Sequence, residues 1–139
     1  MMMKNKICLV TGGSRGIGNG IVKQLSAKGY KVAFTFNEKE KLAQDLESQL
    51  NKNGGNVKSF QMSIENRESV VLTLEKIKKY FQSTVSILIN NAAISQEKPF
   101  NTITDRDWEL MLKVNLQGPF ICLQEALPDM IKNQWGRII

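Results

Sequence analysis

The sequence predicts a doubly wound α/β fold with a parallel sheet, and three observations carry that expectation. Short apolar, β-branched runs alternate with longer stretches of helical period along the chain. The connections between strand patterns are long enough for right-handed crossovers, which gives a sheet of order 3-2-1-4-5. The first strand pattern, Ile7 to Val10, breaks directly into Thr11-Gly-Gly-Ser-Arg-Gly-Ile-Gly18 and then into a helix. In a sheet of that order, ligands bind at the carboxyl edge between strands one and four.

The glycine run is the most informative stretch. Gly12 and Gly13 are expected at backbone angles that a Cβ forbids. A bare Gly16 lets the chain approach a phosphate closely, and Gly18 lets the helix sit tightly on the strand. The helix that starts there carries Ile17, Ile21, Val22 and Leu25, and its N-terminus offers unpaired N–H groups and a partial positive charge to an anion. The spacing is G-x-x-x-G-x-G, neither G-x-G-x-x-G nor a Walker loop, and a sharp turn without a ligand is the competing reading.

The remaining elements follow in order. Lys28-Gly29-Tyr30 turns the chain into strand two, Lys31 to Phe36. Glu38 to Leu50 has Leu42, Leu46 and Leu50 on one stripe and predicts a second helix, stopped by Asn53-Gly54-Gly55. Val57 to Met62 is strand three. Arg67 to Phe81 is a helix with Val70, Leu74, Ile77 and Phe81 inward, and Val85 to Ile89 is strand four. Pro99 to Thr104 reads as loop, and Thr104-Asp-Arg-Asp107 as a capping box. The long helix after it carries Trp108, Met111, Val114, Ile121, Leu123 and Leu127 towards the interior or a partner, with a kink expected at Pro119. Trp135 to Ile139 opens strand five.

Thr11 to Gly18 resembles the cofactor loop of the short-chain dehydrogenase/reductase family, most strongly its 3-oxoacyl-(acyl-carrier-protein) reductase type. Asn90-Asn-Ala-Ala93 resembles that family's second signature, and Asn115 matches its catalytic asparagine. The likeness spans the whole chain. It implies a Rossmann-type fold that continues past strand five, residues 1–139 being one NAD(P)-binding domain and the N-terminal part of a longer whole. It also implies hydride transfer to the carbonyl of a small-molecule or acyl-carrier-bound substrate. On the same resemblance Thr11, Gly12, Ser14, Arg15, Gly16, Ile17 and Gly18 hold the cofactor. Phe36 and Asn37 take the discriminating place after strand two, Ser63 and Ile64 stand beside adenine, and Asn90, Asn91, Ala92 and Ala93 line the nicotinamide side, with Asn91 tying adjacent strands.

The family's adenine-contacting Asp is Ser63 here, which supplies a hydrogen bond but no charge. No acid stands at Phe36, and Arg15 resembles the basic residue that faces a ribose 2′-phosphate, so NADP(H) is favoured over NAD(H). Glu38 is the competing acid. Asn115 has two readings, a catalytic residue and a buried asparagine at a helix kink.

Composition narrows the function classes. The 139 residues are 42% hydrophobic and 23% charged, with two cysteines and no histidine. That is the profile of a globular chain, with no metal site expected. No apolar run is long enough to span a bilayer, and nothing resembles a signal peptide. A cytoplasmic setting with reduced, buried Cys8 and Cys122 follows as an expectation. The net charge of +6 is spread over scattered lysines without an aromatic-interleaved stripe, which argues against nucleic acid. Without histidine, proton chemistry falls to another residue type. The family uses a serine and a Tyr-x-x-x-Lys pair after strand five, but here Phe34 follows Tyr30 and Thr84 follows Tyr80 at the lysine place. The 139 residues alone are therefore expected to be inactive. The uncovered helix and edge strand predict a homo-oligomer or marginal stability.

Overall fold

The computed structural model describes residues 5–139. β1 (Ile7–Val10), β2 (Lys31–Phe36), β3 (Asn56–Gln61), β4 (Val85–Ile89) and β5 (Arg137–Ile138) form one sheet in the order β3-β2-β1-β4-β5. All four pairings are parallel, as the crossover argument requires. This is the Rossmann-like topology expected from the alternation of patterns.

Why β1 sits at the centre follows from its side chains. All four of its residues are buried, and they alternate between the two layers. Ile7 and Leu9 face a core with α3 (Arg67–Phe81) and α5 (Gly118–Lys132), which supply Val70, Ile77, Ile121 and Ala126. Cys8 and Val10 face the opposite core, where α1 (Gly16–Ala27) and α2 (Glu40–Lys52) supply Val22, Ala43 and Leu46. Both thiols are buried, and burial pushes each up to about 12, so they act as apolar filler.

Several boundaries differ from expectation. α2 starts at Glu40 rather than Glu38, which leaves Asn37, Glu38 and Lys39 as free chain at the sheet's carboxyl edge. β3 spans Asn56–Gln61, one residue earlier than expected. α4 (Asp105–Leu112) begins with the expected capping box, the Thr104 side chain accepting from the Asp107 N–H and the Asp107 carboxylate accepting from the Thr104 N–H.

The expected kink at Pro119 is instead a π-helical turn over Lys113–Gln117, with Pro119 in the first turn of α5. Pro119 cannot donate to the preceding turn, and widening that turn accommodates the lost bond without breaking the helix. Pro128 is a second proline, inside α5. Of the residues expected to face the interior or a partner along the long helix, Val114 and Ile121 are buried and Trp108 is 60% exposed.

Candidate functional site

The site is built where β1 and β4 end side by side. Thr11 is fully buried, and its hydroxyl accepts from the N–H groups of Asn91 and Ala92, each at 3.0 Å. Asn91 returns two bonds, its Nδ2 donating to the carbonyls of Thr11 at 2.9 Å and Gly12 at 3.1 Å. Thr35 holds the other side of the loop, accepting from Gly13 N–H at 2.9 Å and, through its hydroxyl, from Gly12 N–H at 3.2 Å. The glycine loop is thus tied to both neighbouring strands.

The glycines divide into two roles. Gly12 (φ +66°) and Gly16 (φ +57°) lie in the left-handed region. A Cβ at Gly16 would meet nothing within 4 Å, so its face is open to the cleft. Gly13 corrects the expectation. Its backbone is not in that region, and a Cβ there would lie 2.6 Å from that of Phe34 and 2.9 Å from Val22 Cγ2, so it is required by packing. Gly18 packs against the loop rather than the strand flank, since a Cβ would collide with the Gly12 carbonyl and Asn91 Nδ2.

α1 starts from Arg15 with no side-chain cap and no acidic residue in its first turn. Its leading N–H groups and dipole therefore face the cleft uncompensated, the condition in which a helix end receives an anion.

The cleft has a volume of about 600 Å³. Gly12, Ser14, Arg15, Gly16, Ile17 and Gly18 form its floor, and Phe36 and Asn37 stand at the end of β2. Ile64 lies beyond β3, and Asn91, Ala92 and Ala93 lie beyond β4. Ile17 is 79% exposed at the mouth.

Four predicted residues lie off the wall. Thr11 is behind it. The Ser63 hydroxyl donates to Asn37 Oδ1 at 3.3 Å and its N–H to Ser69 Oγ at 3.0 Å. Asn90 donates its N–H to the Ile139 carbonyl at 2.8 Å, and its Oδ1 is buried without a partner among the described residues. Asn115, on the π turn, clamps Ile94: its Oδ1 accepts from Ile94 N–H and its Nδ2 donates to the Ile94 carbonyl, both at 2.9 Å.

Thr35, Lys39, Met62, Glu65, Ile94, Leu110 and Val114, none of them expected at the site, also line the cleft, and Glu38 joins them. Thr35, Lys39, Met62, Glu65 and Ile94 lie at or just past strand ends, a signal available in the sequence. Leu110 and Val114 reach the cleft only through the docking of the α4–α5 helix, which no local pattern reports. The wall carries two cations, Arg15 and Lys39, and two carboxylates, Glu38 and Glu65.

The family model for short chain dehydrogenases matches residues 6–139. The chain belongs to this family. Among curated relatives, the 3-oxoacyl-(acyl-carrier-protein) reductase FabG of Aquifex aeolicus is 37% identical over 137 residues, 99% of this chain and 55% of that protein. The FabG of Escherichia coli is 36% identical over 139 residues, 100% of this chain and 55% of that protein. The chain spans about half the length of the curated relatives it matches.

Solved structures agree on the fold. A metagenomic short-chain oxidoreductase in complex with NADP superposes with a TM-score of 0.89 at 27% identity, covering 99% of this chain and 62% of that one. A short chain dehydrogenase from Burkholderia cenocepacia, also in complex with NADP, gives a TM-score of 0.85 at 30% identity, covering 91% and 51%.

Proposed function

We propose that this chain is the dinucleotide-binding half of an NADP(H)-dependent short-chain reductase whose substrate is a carbonyl of the 3-oxoacyl thioester type, free or carried on an acyl carrier. The observation that carries the reading is the uncapped N-terminus of α1 over the open face of Gly16, inside a cleft at the sheet's switch point. The FabG relatives and the NADP-bound neighbours support it.

The residues present fit a dinucleotide. Backbone amides at the start of α1 receive the diphosphate, and Gly16 leaves room for it. Arg15 and Lys39 supply positive charge for a 2′-phosphate, against Glu38, which would suit a free 2′-hydroxyl. Met62, Ile64 and Val114 give an apolar slot for the adenine. The bound nicotinamide would supply hydride to the carbonyl carbon. Asn115 has its carboxamide committed to Ile94, so on this geometry it acts as a positioning residue for the wall at Ala92–Ile94.

The same reading makes the protein a cytoplasmic homo-oligomer. Among the described residues no helix is long and apolar enough to cross a membrane. The alternative is a nucleotide-binding module without turnover; Tyr30 and Tyr80 do not separate the two, since the family's Tyr-x-x-x-Lys pair follows strand five. Sequencing the reading frame beyond Ile139 separates the two, since a serine followed by Tyr-x-x-x-Lys is expected only for the enzyme.

Cofactor binding is tested directly by NADPH fluorescence. Titration of the chain should enhance and blue-shift the emission, with NADH binding more weakly. Arg15→Ala should weaken NADPH roughly tenfold, the worth of one charge-assisted hydrogen bond, and leave NADH nearly unchanged. No response to either nucleotide at millimolar concentration would overturn the proposal.

A further inference from the structure

Among the described residues β3 is an outer strand, with β2 as its one neighbour in the sheet. Such an edge presents unpaired N–H and C=O groups to any second strand that approaches. The register fixes which groups these are. Met62 donates to the Phe36 carbonyl on the β2 side, so residues 57, 59 and 61 turn their backbone groups outward.

Both outward groups of Val57 and the outward N–H of Ser59 are met by side chains of α2. Asn51, near the end of α2, pairs with Val57 as a strand would, its Oδ1 accepting from Val57 N–H and its Nδ2 donating to the Val57 carbonyl, both at 2.9 Å. One turn earlier, Glu47 Oε2 accepts from Ser59 N–H at 2.8 Å and from the Ser59 hydroxyl at 2.5 Å. Its other oxygen accepts from Lys58 Nζ at 2.8 Å, which holds the carboxylate against the strand. Thr73 on α3 brings its hydroxyl to 3.4 Å from the Gln61 carbonyl, while its proton goes to the Ser69 carbonyl at 2.8 Å.

Asn51 and Glu47 are four residues apart and so lie on one face of α2, while Val57 and Ser59 are two apart and lie on one edge of β3. The two periods coincide here, and the helix supplies a row of side-chain partners where an adjacent strand would supply backbone.

We propose that Asn51 and Glu47 close the outer edge of this sheet and keep β3 from pairing with the β3 of a second copy of the chain. The occupant is a like strand because an edge with two polar positions opened in one register offers another copy of itself a matching set of donors and acceptors. The closure is independent of the nucleotide cleft and of the reaction assigned to it.

The test is Glu47→Ala with Asn51→Ala in the full chain, compared with the parent by sedimentation velocity over a hundredfold concentration range. Amide hydrogen exchange resolved at Val57 and Ser59 is followed in parallel. The double variant is expected to associate more steeply with concentration than the parent. Its Val57 and Ser59 amides should exchange at least tenfold faster at dilution and regain protection as it associates. A folded double variant with the parent's concentration dependence would overturn the proposal. So would association that leaves those two amides unprotected, since contact through another surface would do that. If the double variant shows no cooperative melt, Asn51→Ala alone carries the test. Asn51 lies in the last turns of α2 and alanine is the strongest helix former, so α2 is retained. The same readouts at Val57 then decide.

Discussion

A side chain at Gly16 has open space around it, and a side chain at Gly18 has none, so the two positions respond to substitution differently. Gly16→Asp forces a β-carbon into the left-handed region at a cost of about 1–2 kcal/mol and aims a carboxylate at the uncapped start of α1. The expected outcome is a cooperative melt only slightly lowered, with NADPH fluorescence enhancement abolished. Gly18→Ala drives its methyl into the Gly12 carbonyl and Asn91, which overpacks the loop and should cost about 1–3 kcal/mol in urea unfolding. Binding would fall there because the loop is displaced. The glycine spacing made the loop legible from sequence, but it could not separate backbone angle from packing. Gly13 shows why: its neighbours Phe34 and Val22 come from another strand and from a helix, so its requirement is tertiary.

Between elements, the start of α4 joins a local and a long-range interaction at one carboxylate. Asp107 closes the capping box with Thr104 and also takes Lys98 Nζ on both oxygens at 2.8 Å, pinning the loop from β4. Thr104→Ala should cost about 1 kcal/mol by urea titration, the usual worth of a cap. Lys98 first, and then the Thr104 N–H and hydroxyl, hold the Asp107 carboxyl at about 2, below its ordinary 3.8. With the folded value lower than the unfolded one, its stabilisation is complete above about pH 4 and is lost as pH falls through about 2. Thermal melts between pH 2 and pH 5 should show that Asp107→Asn flattens this part of the acid dependence. The box was readable because a Thr and an Asp three apart suffice to make it. The π turn was not, because Lys113-Val-Asn-Leu-Gln117 carries no compositional mark, and its shape depends on Pro119 ahead and Ile94 across the loop.

Across the whole molecule, the strand order was legible because each strand and helix announces its period and crossover handedness does the rest. The long helix was harder to read, since sequence shows an apolar residue without showing what covers it. Trp108, Leu116, Phe120 and Ile131 are each more than half exposed. An uncovered band of that kind predicts concentration-dependent association. Leu116→Lys with Phe120→Lys should shift sedimentation towards monomer and leave the NADPH titration unchanged, because neither residue lines the cleft.

The stitching of Thr11 to Asn91 and Ala92 has a kinetic consequence. The glycine loop and the Asn91–Ala92 wall of the cleft share one hydrogen-bonded frame, so the two move as one piece. An incoming nucleotide meets a mould already set, and stopped-flow mixing should show a single phase whose rate climbs linearly with nucleotide concentration, without a plateau from slow rearrangement.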